Sequence, residues 1–342
     1  MKRLDWVDIL KGIGILYVLI GHIIINENSL LKVYIYSFHM PLFFFISGYL
    51  FKVNSTYLSH IKKRLKTLLI PYTTFFIFSY IVTRILFKLS LLETLVNKYE
   101  LIKIFVVANG FELNKINNTP LWFLPCLFIT ENVFFLISKT KKLRLIFILS
   151  LLISIAGYIL TFKNNISNIW SFKTALISLF FYGIGYILKN NEILFSKIVK
   201  FISNKYILLL LFIFNMYIIL LNGRIDMNSS YYSNYFLFLL SALISILIYI
   251  VISIKINHSD LLQLIGKSSL LLLGTHLIIF LLTSKYTVPI IYKKDRFNIA
   301  YDESSIFFIY IVSALIIIVP YKNILNYFSK IAHKNSLKNT KV

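Results

Sequence analysis

The sequence predicts an all-α membrane protein, a polytopic bundle of about ten transmembrane helices with both termini in the cytoplasm. Hydrophobic residues make up 58% of the 342 residues, whereas charged residues make up only 14%. A soluble domain is closer to half apolar and a quarter charged. The apolar residues also form blocks long enough to cross a bilayer, which takes about 20 residues. Composition and block length together therefore indicate a multi-pass membrane protein.

The predicted spans are mainly apolar blocks separated by charged loops. They cover residues 9–25, 35–52, 68–88, 120–138, 144–161, 172–188, 206–222, 235–254, 268–284 and 304–320. The chain begins with Met1-Lys2-Arg3, and the first span follows at residue 9. Because this span lacks a small-residue cleavage site, we expect it to be retained. The chain 1–342 is expected to be one integral-membrane domain, with its core at about 5–325 and a basic cytoplasmic tail at 326–342.

The net charge of +23 is explained by topology. With the N-terminus inside, 23 of the 36 lysines and arginines fall in cytoplasmic segments, as the positive-inside rule requires. The segment Lys139–Arg144 is a strong stop signal on the cytoplasmic side. No nucleic-acid partner is therefore expected. The single cysteine, Cys126, excludes an internal disulfide and a Cys-rich metal site, and it is interpreted as a small buried hydrophobe.

Two long loops are predicted on the outer side, at 89–119 and 285–303. The first has apolar residues at helical spacing with charged residues between them, which predicts an amphipathic helix on the outer surface. Its apolar residues are Leu91, Leu92, Leu95, Val96, Tyr99, Ile102 and Phe105. The sequence shows no internal repeat of the kind common in secondary transporters.

The first span contains two ionisable residues at a depth where charge is costly, and such residues indicate function. Lys11 and His22 are eleven residues apart, which is about three helical turns or about 16 Å, so they share one helix face. Ile15 and Val18 complete this stripe. Lys11 is expected near the cytoplasmic end of the helix and His22 near its outer end.

A second histidine, His39, is expected to begin the second helix on the outer side. A short turn between the two helices makes them antiparallel neighbours, so His22 and His39 are predicted to face one outer cavity. The simpler interpretation is that each is a satisfied interfacial histidine. Zinc ligation is the other alternative, but no third ligand has suitable spacing. No metal is therefore predicted.

Four further features have both a structural and a functional interpretation. The basic cluster Lys62–Lys66, which contains Lys63 and Arg64, is a topology anchor that could also hold the phosphates of a cytoplasmic donor. Trp122 either anchors in the aromatic belt or stacks on a sugar or acyl group. Glu131 could pair with Lys11 or another cation. For His276, in the ninth span, the two interpretations are balanced.

Four segments stand in a characteristic order along the chain: Asp5–Gly14 running on to Gly21-His22, then Phe38–Gly48, Ile70-Pro71-Tyr72 and Trp122–Pro125. In order and spacing they closely resemble the bacterial membrane acyltransferase family, acyltransferase family 3, and especially its fucose 4-O-acetylase-like branch. The resemblance covers nearly the whole chain. It matches the form of the family without a C-terminal esterase-like domain.

The resemblance implies transfer of an acyl group, most often acetyl from acetyl-CoA in the cytoplasm, to a hydroxyl on a surface glycan or its lipid-linked precursor. The family signature of a basic residue, ten residues and a histidine falls on Lys11 and His22. Its paired basic residues before the third helix fall on Lys63 and Lys66, where two arginines are more usual. A bacterial cytoplasmic membrane is the implied location, with the lipid bilayer as a partner.

The residues fit this chemistry, because histidine is the usual base for activating a hydroxyl near neutral pH. His22 is predicted to be the general base or a transient acyl carrier, with His39 orienting it. Lys11, Lys63, Arg64 and Lys66 are predicted to hold the donor, and Trp122, Glu131 and His276 are weaker candidates for substrate contact. The alternatives are a flippase or exporter of a polysaccharide or lipid carrier, a glycan polymerase and a scaffold. The sequence leaves the acceptor, the acyl chain and the oligomeric state open.

Overall fold

The computed structural model describes residues 4–24, 26, 28–53, 56–90, 92, 94–163 and 168–291, with side chains to residue 282. The residues up to Ile278 form one compact unit, and a second unit begins at Ile279. The described chain is helical apart from its connections and one isolated β-bridge between Asp226 and Tyr231. The predicted all-α fold is confirmed.

The helices that precede the middle of the chain are α1 (Asp5–Ile23), α2 (Leu30–Tyr49), α3 (Tyr57–Arg64), a π-helical turn (Leu65–Leu69), α4 (Ile70–Lys88), α5 (Lys98–Val107), α6 (Gly110–Asn114), a 3-10 turn (Thr119–Trp122) and α7 (Phe123–Ser138). They are followed by α8 (Leu143–Thr161), a 3-10 turn (Ile169–Ser171), α9 (Phe172–Asn190), α10 (Glu192–Ile202), α11 (Lys205–Asn222), α12 (Tyr235–Ile256), α13 (Asp260–Lys267) and α14 (Ser269–Ile291).

Within the described residues, eight helical segments are long and apolar enough to cross a membrane, and they coincide with the first eight predicted spans. The ninth predicted span is a bent pair, Asp260–Lys267 and Ser269–Leu282, with 78° between the two helices. Because α14 continues to Ile291, the predicted loop at 285–303 is wrong for residues 285–291. The tenth span at 304–320, the rest of that loop and the tail at 326–342 lie outside the described residues.

The second helix begins earlier than the sequence predicted. Its N-cap is Ser29, whose hydroxyl accepts a hydrogen bond from the backbone N–H of Lys32 at 3.3 Å. The Lys32 ammonium donates to the carbonyl of Ile24 at 2.8 Å, which fixes the turn between α1 and α2. His39 therefore lies in the middle of α2, and the prediction that it begins the helix is wrong. Lys32 in the first turn hid the true start, because it interrupts the apolar residues Leu30, Leu31 and Val33.

Glycine allows α1 and α13 to pack with their backbones in contact. A Cβ atom on Gly12 would overlap the carbonyl oxygen of Leu262, and a Cβ atom on Gly266 would overlap the carbonyl oxygen of Asp8. Small residues are the usual means of close helix approach in membranes. The bend between α13 and α14 is consequently fixed against the first helix.

The predicted amphipathic helix of the 89–119 loop is two shorter helices, α5 and α6, which meet at Ala108 in the left-handed conformation (φ 46°). Leu91 lies outside the described residues. α5 packs against α4, where Tyr72 donates to the carbonyl of Phe105 at 2.9 Å and the ring of Phe105 contacts Phe76. The prediction of one helix is thus corrected to two, and the first of them has one face on α4 and an exposed face that includes Tyr99.

Four charged side chains join α5 to α6. Lys103 lies 3.0 Å from Glu112, and Lys115 lies 2.6 Å from Glu100 and 3.1 Å from Glu112. Glu112 is buried. Its burial raises the carboxyl pKa, but hydrogen bonds from Lys103 and Lys115 outweigh burial and lower the pKa of Glu112 below its usual value. The two short helices are thus held together by an ion-pair network outside the spans.

Candidate active site

A cavity of about 160 Å³ lies at the end of the bundle where α1 finishes. We call it the histidine cavity, because His22 from α1 and His39 from α2 both line it. The polar and aromatic residues that share the lining are Tyr36, Thr119, Trp122, Asp226 and Asn228. The structure thus places His22 and His39 at one cavity, as the sequence predicted.

Three histidines gather at this place. The ring centroids of His22 and His276 are 5.2 Å apart, and Tyr36 lies between the two histidines of the cavity, with centroids 6.4 Å from His22 and 4.9 Å from His39. His39 and His276 are buried, whereas His22 is half-buried. Among the described residues, His22 makes these ring contacts and no hydrogen bond. Its imidazole nitrogens can therefore reach a substrate.

The tautomers of His39 and His276 follow from their backbone partners. Nδ1 of His39 lies 2.8 Å from the carbonyl of Ile35, and Nδ1 of His276 lies 2.7 Å from the carbonyl of Leu272. A carbonyl oxygen only accepts, so each Nδ1 carries the proton. In the neutral ring Nε2 is then the acceptor nitrogen. Each ring is also held in one orientation by its own helix.

Asp226 is a lining residue that the sequence prediction missed. It lies in the connection between α11 and α12, where its carboxylate accepts hydrogen bonds from the backbone N–H of Asn228 at 2.9 Å and from the hydroxyl of Ser229 at 2.8 Å. This fixed loop carries the carboxylate to the cavity of His22 and His39. One signal was present in the sequence: only 13 residues are acidic against 36 basic ones, and Asp226 falls in a loop predicted at the His22 end.

A second cavity, of about 240 Å³, is lined by Lys11. We call it the lysine cavity, and its other polar lining residues are Ser47, Thr67 and Ser269. Leu273 lines both cavities. Thr67 belongs to the π-helical turn that follows the basic cluster, and Ser269 begins α14. Of the four residues predicted to hold the donor, Lys11 lines this cavity, whereas Lys63, Arg64 and Lys66 are not part of its lining.

One face of α1 runs along both cavities. Lys11 and Ile15 line the lysine cavity, while Val18 and His22 line the histidine cavity. The stripe predicted from spacing is therefore confirmed as a cavity-facing stripe. Lys11 and His22, at the two ends of the stripe, lie in different cavities, and Leu273 lines both of these cavities.

The predicted cationic cluster divides into one half-buried residue, Arg64, and three exposed ones, of which Lys62 is the first. Arg64 forms an ion pair with Glu131 of α7, and their side chains are 18% and 4% exposed. Lys63 and Lys66 are exposed. The expected partner of Glu131, Lys11 or another cation, is thus Arg64. Glu131 is not among the residues that line the histidine cavity with His22.

Trp122 and Cys126 have clear positions. Trp122 ends the 3-10 turn before α7, is only 4% exposed and lines the histidine cavity. The aromatic-belt interpretation is therefore wrong, because the ring faces protein. Cys126 is fully buried in α7 beside the carbonyl of Ser171. In the described part of the chain, no group of three or more His, Cys, Asp or Glu side chains is arranged to hold a metal ion.

A multi-pass helical bundle with a histidine cavity and a cationic cavity on one helix face defines a membrane-embedded enzyme. The family model described as an acyltransferase domain, acyltransferase family 3, matches residues 4–322, so the chain belongs to this family. It is therefore a membrane acyltransferase that acts on groups other than amino-acyl groups. No curated protein and no solved structure matches the sequence.

Proposed function

We propose that this protein is an O-acyltransferase of the bacterial cytoplasmic membrane. It moves an acyl group, most often acetyl, from cytoplasmic acyl-CoA to a hydroxyl of a cell-surface polysaccharide or its lipid-linked precursor. The observation that carries the proposal is the stripe on α1, which has Lys11 in one cavity, His22 in the next and Leu273 shared between them.

The lysine cavity is the donor end of this proposal. CoA carries phosphates, and the Lys11 ammonium with the amino end of α14 at Ser269 supplies the positive potential that favours them. The exposed Lys63 and Lys66 extend this potential on the same segment that contributes Thr67 to the lining. The Lys11–His22 separation of about 16 Å is comparable to the length of a pantetheine arm.

The histidine cavity is the reaction site. His22 accepts the proton of the acceptor hydroxyl, and the hydroxyl oxygen attacks the carbonyl carbon of the thioester. The carbon–sulfur bond then breaks, the acyl group stays on the acceptor oxygen, and the thiolate of CoA takes up a proton. A transient acyl-histidine is the alternative route through the same residue. His39, held by the Ile35 carbonyl at 2.8 Å, orients the site.

The test is transfer of label from radioactive acetyl-CoA in membranes of cells that express the protein. Labelled surface glycan is expected with the protein and not with vector alone. Mass spectrometry of the glycan should show the mass of one acyl group per modified unit. Label in protein or in lipid that carries no glycan, with none in polysaccharide or lipid-linked glycan, would refute the proposed acceptor while leaving the enzyme class intact.

A further inference from the structure

A third cavity, of about 520 Å³, adjoins the histidine cavity. We call it the asparagine groove, because Asn109, Asn114, Asn168 and Asn228 line it. Thr119 and Asn228 line both the groove and the histidine cavity, so the two spaces meet at these side chains. Its volume lies within the range of about 300–1,000 Å³ typical of small-molecule sites.

Hydrogen bonds to the backbone fix the orientation of two asparagine side chains in the groove. Oδ1 of Asn109 accepts the backbone N–H of Glu112 at 3.0 Å, and Oδ1 of Asn168 accepts the backbone N–H of Lys173 at 3.1 Å. Because a backbone N–H only donates, the amide oxygens are assigned and the NH₂ groups remain as donors. These donors are anchored by the backbone, so a ligand would lose little side-chain freedom on binding them.

Asn228 supplies the complementary acceptor. Its Oδ1 atom is buried and has no hydrogen-bond partner among the described residues. The amide lies where a Cβ atom of residue 110 would be, so Gly110 is what makes room for it. A buried amide oxygen without a partner is costly. A ligand hydroxyl in the groove would relieve this cost if the amide turned from Gly110 toward the groove.

The groove is neutral, and its lining includes one aromatic ring. No ionisable side chain lines it in the part of the chain that the structure describes. The nearby Lys103 and Lys115 are engaged by Glu100 and Glu112. Phe111 contributes a ring that is 77% exposed. Amide donors and acceptors beside an exposed ring suit a polyhydroxylated ring compound, which has polar edges and apolar faces.

The neighbouring carboxylate adds a preference against anions. Asp226 lines the histidine cavity beside Asn228, at the place where groove and cavity meet. A ligand that filled both spaces would bring its reacting end near Asp226. A carboxylate or phosphate there would be repelled by the like charge, whereas a neutral or amino-bearing unit would not.

We propose that the asparagine groove binds the acceptor as an uncharged oligosaccharide segment and presents its terminal hydroxyl to His22. This inference rests on the proposed function and adds to it the position and the charge class of the acceptor. Phe111 stacks on a sugar face, while Asn228 accepts a hydroxyl of the unit next to the reacting one.

The first experiment separates binding from chemistry. The acceptor is the neutral glycan fraction of the expressing cells, with acetyl-CoA as donor. Phe111→Ala and Asn228→Ala should each raise KM for this acceptor by about three- to tenfold, the effect of one lost contact. The KM for acetyl-CoA should not change in either variant, because neither residue lines the lysine cavity. Tyr99→Ala is the matched control, because Tyr99 is an aromatic residue of α5 that is 85% exposed and does not line the groove.

The second experiment tests charge class. Surface glycan is separated by anion exchange into neutral and acidic fractions, and each is offered with labelled acetyl-CoA. Label confined to the neutral fraction supports the groove, whereas preferential labelling of the acidic fraction overturns it. Label in neither fraction would refute the proposed function itself. Unchanged acceptor KM in both groove variants, with normal transfer by the wild type, would refute the groove alone.

Discussion

The imidazole rings of His22 and His276 lie with their centroids 5.2 Å apart, although they come from the first and the last described helices. The bend of 78° before Ser269 allows α14 to bring His276 to this position. Asn118 fixes that helix to α4, because its amide donates to the carbonyl of Gly274 at 2.8 Å and to the hydroxyl of Ser79 at 2.7 Å. The first and the last described helices therefore meet beside the histidine cavity.

We predict that His22→Ala lowers acyl transfer by about 100- to 10,000-fold, the usual contribution of a general base. His258→Ala should leave transfer unchanged, because His258 lies in the connection between α12 and α13 with its side chain 64% exposed. The measurement is kcat with labelled acetyl-CoA in membranes. Equal activity of the two variants would remove His22 from the mechanism.

We predict that Glu131→Gln destabilises the protein by about 3 kcal/mol, the lower end of the range for breaking a buried ion pair, because Arg64 stays 18% exposed. The variant leaves the Arg64 charge without its carboxylate. Thermal unfolding in detergent is the measurement. Glu192→Gln is the control, because it breaks an exposed pair with Lys189 and should cost at most about 1 kcal/mol. A similar loss in both variants would contradict the prediction.

Two glycines of α1 should respond differently to alanine. In Gly12→Ala the new methyl group meets the backbone carbonyl of Leu262, which cannot move without α13, so a loss of about 1–3 kcal/mol is expected. In Gly14→Ala it meets the movable side chains of Leu42 and Phe43. The gain in helix propensity of about 0.5–1 kcal/mol offsets that contact. Heat survival in detergent should rank Gly14→Ala above Gly12→Ala, and the reverse order would contradict this packing.

The ion-pair network between α5 and α6 should make stability depend on acidic pH. The pKa of Glu112 is lower in the folded protein than in the unfolded chain, because hydrogen bonds from Lys103 and Lys115 outweigh burial. Its contribution is therefore present above the unfolded glutamate pKa of about 4.3 and is lost as the pH falls through the folded pKa. Thermal unfolding of wild type and Glu112→Gln measures this. The difference between them should shrink below about pH 4, and a constant difference would contradict the network.

The spans and the α1 stripe were predictable because both depend on local sequence. Bilayer thickness fixes the length of an apolar block, and helix geometry fixes which residues share a face with Lys11. The start of α2 at Leu30 was missed because Lys32 lies in its first turn and separates Leu30 and Leu31 from the longer apolar block. Asp226 was missed for another reason, since its approach to His39 depends on how α11 and α12 pack, and no local pattern records that packing.

The position of Leu273 bears on how well the protein keeps protons and ions from crossing the membrane. It is 5% exposed and belongs to the walls of both cavities, so one leucine side chain lies where the two spaces come closest. If the donor enters from one face of the membrane and the acceptor from the other, this apolar residue also limits the leakage of protons and ions. Leu273→Gly would then dissipate a pH gradient across proteoliposomes. Insulation of the membrane, and not only catalysis, would thus constrain which residue can occupy this position.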